Sequence, residues 1–100
     1  MSKAMDKGDT LARARVLISG LVQGVYFRAY ARDIAQKHRL SGWVRNRIDS
    51  SVEAVVEGEE AAVQVFITWC HGGPPAARVT DVQVTWEPYK GDSRGFRILS

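Results

Sequence analysis

The 100-residue sequence is poor in the residues that carry most protein chemistry. Its one cysteine, Cys70, excludes an intramolecular disulfide framework and any CxxC redox or zinc-ribbon arrangement, which fits a reducing compartment. Its two histidines, His38 and His71, belong to no metal-spaced cluster, so no metal is expected. No run of about 18 apolar residues could span a bilayer. Residues 1–10 (MSKAMDKGDT) lack the apolar stretch of about 7 to 15 residues that a signal peptide requires. The phosphate-loop pattern GxxxxGKS/T and the dinucleotide fingerprint GxGxxG are both absent, which disfavours a nucleoside triphosphatase and a dinucleotide-binding fold. The expectation is a cytoplasmic chain with no membrane partner, carrying a loose N-terminal tail over residues 1–10.

At this length a single domain is the default. Such a chain buries only about 60 to 70% of the surface it exposes when unfolded, enough for one thin two-layer core and a shallow site. Hydrophobic residues at 45% and charged residues at 25% match an ordinary globular protein rather than a disordered one. The charge is uneven. Residues 1–50 hold ten Lys and Arg against four Asp, whereas residues 51–100 hold four against seven acids. A basic first half suits an anionic ligand, yet no block of five or six like charges marks a nucleic-acid-binding tail.

Periodicity along residues 11–100 yields an ordered set of elements. A branched apolar run predicts a strand over 12–20. Phe27, Tyr30, Ala31, Ile34 and Ala35 then recur at helical spacing. Segments 43–47 and 52–57 read as an antiparallel hairpin, with Glu53 and Glu57 together on a face expected to be exposed. Glu59 and Glu60 suit a helix N-terminus ahead of Val63, Phe66, Ile67 and Cys70, and Gly72, Gly73, Pro74 and Pro75 stop that helix. Val82, Val84 and Trp86 alternate as a fourth strand, and 96–99 form a short fifth. The order βαββαβ plus a terminal strand predicts an α+β, ferredoxin-like two-layer sandwich, a mostly antiparallel sheet with both helices on one face. Trp43, Trp69 and Trp86 are expected at the core or its edge, and Cys70 as a small core residue.

The chemically informative segment is Gly20-Leu21-Val22-Gln23-Gly24-Val25-Tyr26-Phe27-Arg28. Its two glycines allow a tight fold in which consecutive backbone N–H groups converge, and the loop opens onto a helix N-terminus suited to an anion. Arg28 adds a positive fork for phosphate oxygens. As a purely structural residue it opposes the helix dipole and is repelled by Arg32, faults a bound anion would repair. The plainer reading is a tight strand-to-helix connection with a solvated Arg28. Spacing alone does not separate the two.

GLVQGVYFR at 20–28, GWVRN at 42–46 and SVEAVVEG at 51–58 closely resemble the signature segments of the acylphosphatase family, and the likeness runs from Arg13 to Ser100. The resemblance implies a ferredoxin-like hydrolase of carboxyl-phosphate anhydrides with no metal or cofactor. It implies Gly20, Leu21, Val22, Gln23, Gly24 and Val25 as the phosphate loop, with Arg28 binding phosphate and Asn46 positioning the attacking water. The partners so implied are a small acyl phosphate as substrate and inorganic phosphate as product and competitive inhibitor, with no nucleic acid and a monomeric chain. One departure is Ser50, where the family commonly has Gly after Asp. It predicts either a different turn type or retained strain. The chemistry agrees with the resemblance: a leaving carboxylate with a pKa near 4 needs no general acid, so positioning and electrostatics suffice. The rival readings are a non-catalytic anion-binding module and an RNA-binding domain of the same architecture.

Overall fold

The computed structural model describes residues 10–99, so the expected tail, apart from Thr10, lies outside the described residues. The elements follow as β1 (Leu11–Leu21), α1 (Phe27–Lys37), β2 (Ser41–Asn46), β3 (Val52–Glu59), α2 (Glu60–Gly72), β4 (Arg78–Glu87) and β5 (Phe96–Ile98). The sheet order is β4-β1-β3-β2-β5. β1 and β2 each pair antiparallel with β3, and β5 runs parallel to β2. β1, β2 and β5 therefore point the same way, and their carboxyl ends emerge at one end of the sheet. This is the α+β ferredoxin-like sandwich that the element order predicted.

Both helices pack on the same sheet face, α1 over β2 and β5 and α2 over β1 and β4. α1 buries Phe27, Ala31 and Ala35, while Tyr30, expected on that stripe, sits exposed at its rim. α2 buries Val63, Phe66, Ile67 and Cys70. It stops at Gly73, whose left-handed φ of 68° lets its N–H bond the Trp69 carbonyl at 2.8 Å. Between the layers, Val16, Ile18, Val44, Val52, Ala54 and Val56 complete the core.

Other expectations change as well. β4 begins at Arg78 rather than near Val82, because its pairing with β1 continues past a bulge at Ser19/Gly20 that breaks the alternation visible in sequence. Trp86 is half exposed: among the described residues β4 is an edge strand paired with β1 alone, and its far end has no second layer over it.

The larger correction concerns Glu53 and Glu57, expected to be exposed and instead buried at 4% and 2% relative exposure. Among the described residues no helix covers their face of the sheet. Arginines from neighbouring strands cover it with their aliphatic stems and pair with the acids. Glu57 Oε1 accepts from Arg13 Nη1 at 3.1 Å and from the backbone N–H groups of Lys90 and Gly91 at 3.2 Å each. Glu53 accepts from Arg15 and Arg45, and Glu87 bridges Arg13 and Arg15. Trp43 joins this layer with the guanidinium carbons of Arg45 and Arg15 at 5.4 and 6.0 Å from its ring centre. Val55, in register between Arg15 and Trp43, is thereby fully buried.

The network titrates. Burial, the largest single influence, pushes the Glu53 and Glu57 carboxyls up. The Arg45 and Arg15 hydrogen bonds to Glu53, and those from Gly91, Lys90 and Arg13 to Glu57, together outweigh it and hold both below the ordinary value. Since folded values lie below the unfolded value of about 4.3, the network stabilises the fold fully above that pH. That contribution is lost as pH falls through the lower folded values. Thermal unfolding followed by circular dichroism should show Tm dropping below about pH 4. Glu57→Gln should cost about 1 to 3 kcal/mol at neutral pH and flatten the acid limb. Identical acid limbs in both proteins would contradict the assignment.

Candidate active site

The loop between β1 and α1 starts from a strand end already committed to the sheet. Gly20 and Leu21 pair with Val79 and Arg78. At Gly20 (φ 122°) an added Cβ would stand 2.1 Å from the Arg78 carbonyl oxygen, so this glycine serves the close approach of β4. Gly24 differs. It also has a positive φ, 77°, yet an added Cβ there would meet nothing within 4 Å, because it faces open space.

Tyr26 caps α1 in the left-handed conformation (φ 64°) without a side-chain hydrogen bond, and no acid occupies the first turn. The first N–H groups of the helix are thus left without side-chain acceptors, and the dipole is not countered by protein charge. Phe27, 2% exposed, anchors this turn against Trp69 with ring centres 5.1 Å apart. Burying such a ring contributes about 1.5 to 3 kcal/mol. Arg28, its half-buried neighbour, reaches the Leu99 carbonyl oxygen through Nη1 at a long 3.4 Å. None of the ion pairs among the described residues involves Arg28, whereas Arg13, Arg15, Arg45 and Arg47 are all paired. Among the described residues its charge and most of its donors are unspent.

Asn46 is the last residue of β2, in register with Val52 on the helix-covered side of the sheet. Just beyond it the hairpin closes with the Arg47 N–H donating to the Ser51 carbonyl at 2.8 Å. Of the two outcomes open for Ser50, strain is the one realised: it takes φ 76°, the left-handed conformation a glycine would adopt freely. That costs a non-glycine residue roughly 1 to 2 kcal/mol. Asp49 offsets part of it by accepting from the Ser51 N–H at 3.1 Å and from its hydroxyl, contacts that hold the Asp49 carboxyl below the ordinary value. The hairpin stays regular, and Asn46 keeps its place in the ladder.

An open cleft of about 360 Å³ lies where these pieces meet. Of the residues singled out in sequence, Val22, Gly24, Arg28 and Asn46 line it; Gly20, Leu21, Gln23 and Val25 do not. The Gln23 side chain turns to the hairpin and donates to the Arg47 and Ser51 carbonyls at 2.8 and 3.0 Å. Val25 packs against the core. The cleft also takes in Tyr26, Phe27, Ala29 and Ile98. Ala29 was findable as a first-turn helix residue. Ile98 was not, because it arrives only through the parallel pairing of β5 with β2.

The other candidates lie elsewhere. Burial pushes the Cys70 thiol well up, so it is an inert core residue. His38 caps the C-terminus of α1, and His71 Nδ1 lies 3.0 Å from the Ile67 carbonyl oxygen in the last turn of α2, both at dipole-favoured positions. Among the described residues no cluster of His, Cys, Asp or Glu could hold a metal, and no helix is long and apolar enough to cross a membrane.

Comparison with known proteins identifies the family of the chain. The acylphosphatase family profile matches residues 14–98. An acylphosphatase of Aeropyrum pernix is 59% identical over 91 residues, 90% of this chain and 90% of that protein. One from Roseiflexus sp. is 56% identical over 89 residues, covering 89% of this chain and 96% of that protein. The crystal structure of acylphosphatase from Bacillus subtilis matches with a TM-score of 0.86 at 38% identity, over 91% of this chain and all of that one. With its fold, its signature loop and relatives of this identity matched nearly end to end, the chain belongs to the acylphosphatase family.

Proposed function

We infer that this protein hydrolyses small acyl phosphates to a carboxylate and inorganic phosphate, with Arg28 and the loop around Gly24 holding the phosphoryl group and Asn46 orienting the water. The observation that carries this reading is one cleft where, among the described residues, a guanidinium without an ion-pair partner, a glycine facing open space and a carboxamide come together with no carboxylate, histidine or thiol in the wall. Such equipment cannot supply strong acid–base catalysis, and this reaction does not require it. The departing carboxylate has a conjugate acid with a pKa near 4 and leaves unprotonated. Phosphoryl transfer passes through a loose in-line state with charge spread over three equatorial oxygens, so catalysis consists mainly of positioning and charge stabilisation.

In this mechanism the phosphoryl oxygens sit against Arg28 and the backbone N–H groups of the loop around Gly24 that leads into α1. Asn46 accepts a hydrogen bond from the water through Oδ1 and aims it at phosphorus. The water oxygen forms the new P–O bond, the bond to the acyl oxygen breaks with its electron pair going to the carboxylate, and the water proton passes to a phosphate oxygen. Inorganic phosphate fits the same cradle and acts as product and competitive inhibitor. The chain works as a monomer in the cytoplasm in this reading. A non-catalytic anion-binding module is disfavoured: binding alone gives no reason for Asn46 to share the cleft with Arg28.

The test is hydrolysis of benzoyl phosphate in excess chelator. Wild-type protein should turn over, with phosphate inhibiting competitively. Arg28→Ala should abolish most activity with the fold intact, and Asn46→Ala should lose on the order of 100-fold or more in kcat. Wild-type turnover in either folded variant would remove that residue from the mechanism. Gly24→Ala must force a Cβ into a left-handed position costing roughly 1 to 2 kcal/mol. It should lower kcat/KM by about 10-fold or more, since misplacing reacting groups by ~1 Å can cost about 100-fold; unchanged kcat/KM would show that the loop is not the cradle.

A further inference from the structure

Arg28 and Asn46 reach the cleft from α1 and β2, which pack against each other, and among the described residues one side chain hydrogen-bonds the β1–α1 loop to the hairpin turn beyond β2. Gln23 has its main chain in the β1–α1 loop and its carboxamide on the hairpin. Nε2 donates both hydrogens, one to the Arg47 carbonyl at 2.8 Å and one to the Ser51 carbonyl at 3.0 Å. Arg47 and Ser51 are themselves the rung that closes the turn, through the Arg47 N–H and the Ser51 carbonyl at 2.8 Å. Among the described residues no other hydrogen bond joins residues 22–25 to the turn at 47–51. With both hydrogens spent on carbonyls, this side chain has no donor left for a phosphate oxygen.

We propose that the Gln23 side chain is a positioning residue, a clamp that sets the distance between the phosphate cradle and Asn46. This rests on the functional reading above, in which a water held by Asn46 attacks a phosphoryl group held by the loop. The Arg47 carbonyl follows Asn46 directly, and Ser51 precedes Val52, the register partner of Asn46. The clamp therefore grips both strands one residue beyond the reacting carboxamide. Without it, Asn46 stays in the ladder while the loop shifts relative to it, and a shift of ~1 Å is enough to spoil in-line attack.

Gln23→Met keeps the length of the side chain and removes both donors. Kinetics with benzoyl phosphate on wild type, Gln23→Met, Asn46→Ala and the double variant, with folding checked by circular dichroism, test the clamp. Gln23→Met should lower kcat by about 10- to 100-fold while KM and the inhibition constant for phosphate stay within about threefold. In the Asn46→Ala background the same substitution should cost less than about threefold, because no positioned water remains to be misaimed. Gln23→Ala should repeat the pattern and serves if the Met variant folds poorly. Unchanged kcat in folded Gln23→Met, or an equal loss with and without Asn46, overturns the clamp. So does weakened phosphate inhibition that accounts for the whole effect. If Asn46→Ala alone turns over like wild type, the functional reading falls and the clamp with it; an impaired Asn46→Ala beside an unimpaired Gln23→Met removes the clamp only.

Discussion

The pairing of β1 and β2 with opposite edges of β3 is the constraint on which the site depends. Because both pairings are antiparallel, β1 and β2 run in the same direction, and β5, parallel to β2, joins them. Three carboxyl-terminal strand ends thus fall at one end of the sheet, adjacent strands being about 4.8 Å apart. The glycine loop follows the first, Asn46 ends the second, and Ile98 with the Leu99 carbonyl ends the third. A different strand order would leave the same residues in the sequence and no cleft between them. The core fixes the register of these pairings, since a one-residue slip of β3 would turn Val52, Ala54 and Val56 away from the helices and Glu53 and Glu57 toward them.

The two faces of the sheet are closed by different physics. Helices cover one with apolar contacts. Across the other the described residues form no third layer, and Arg13, Arg15, Arg45 and Trp43 supply cover, the arginines neutralising Glu53, Glu57 and Glu87. This accounts for much of the basic excess in the first half of the chain, which the composition alone had linked to a ligand. The cationic residue lining the cleft is Arg28, which has no ion-pair partner among the described residues, so its place in the fold rather than local charge density marks it for an anion.

The fold was legible because its elements are written in local periods. The stripe of α1 from Phe27 to Ala35, the alternation through Val52, Ala54 and Val56, and the glycine and proline stop after Cys70 each placed an element within a few residues of its position. Where a period breaks, legibility fails: the bulge beside Gly20 concealed the first residues of β4. Burial of Glu53 and Glu57 was hidden for a related reason. Alternation tells which face a residue takes, and whether that face meets water depends on long side chains arriving from other strands.

For the site, the local sequence determined the parts: a loop able to adopt positive φ at Gly24, a helix start with no acid to satisfy it, a cation one residue into that helix, and a carboxamide ending a strand. These follow from the backbone preferences of glycine and from patterns within a few residues, so a single sequence suffices to read them. Tertiary structure alone decided which of the parts meet. It drew Gly20 into the sheet, turned the Gln23 carboxamide to the hairpin, brought Ile98 and Leu99 beside Arg28, and left that guanidinium without an ion-pair partner among the described residues while pairing Arg13 and Arg15 on the other face of the sheet. Those outcomes depend on hydrogen bonds and ion pairs between residues 24 to 74 positions apart, whose geometry exists only once the sheet has closed.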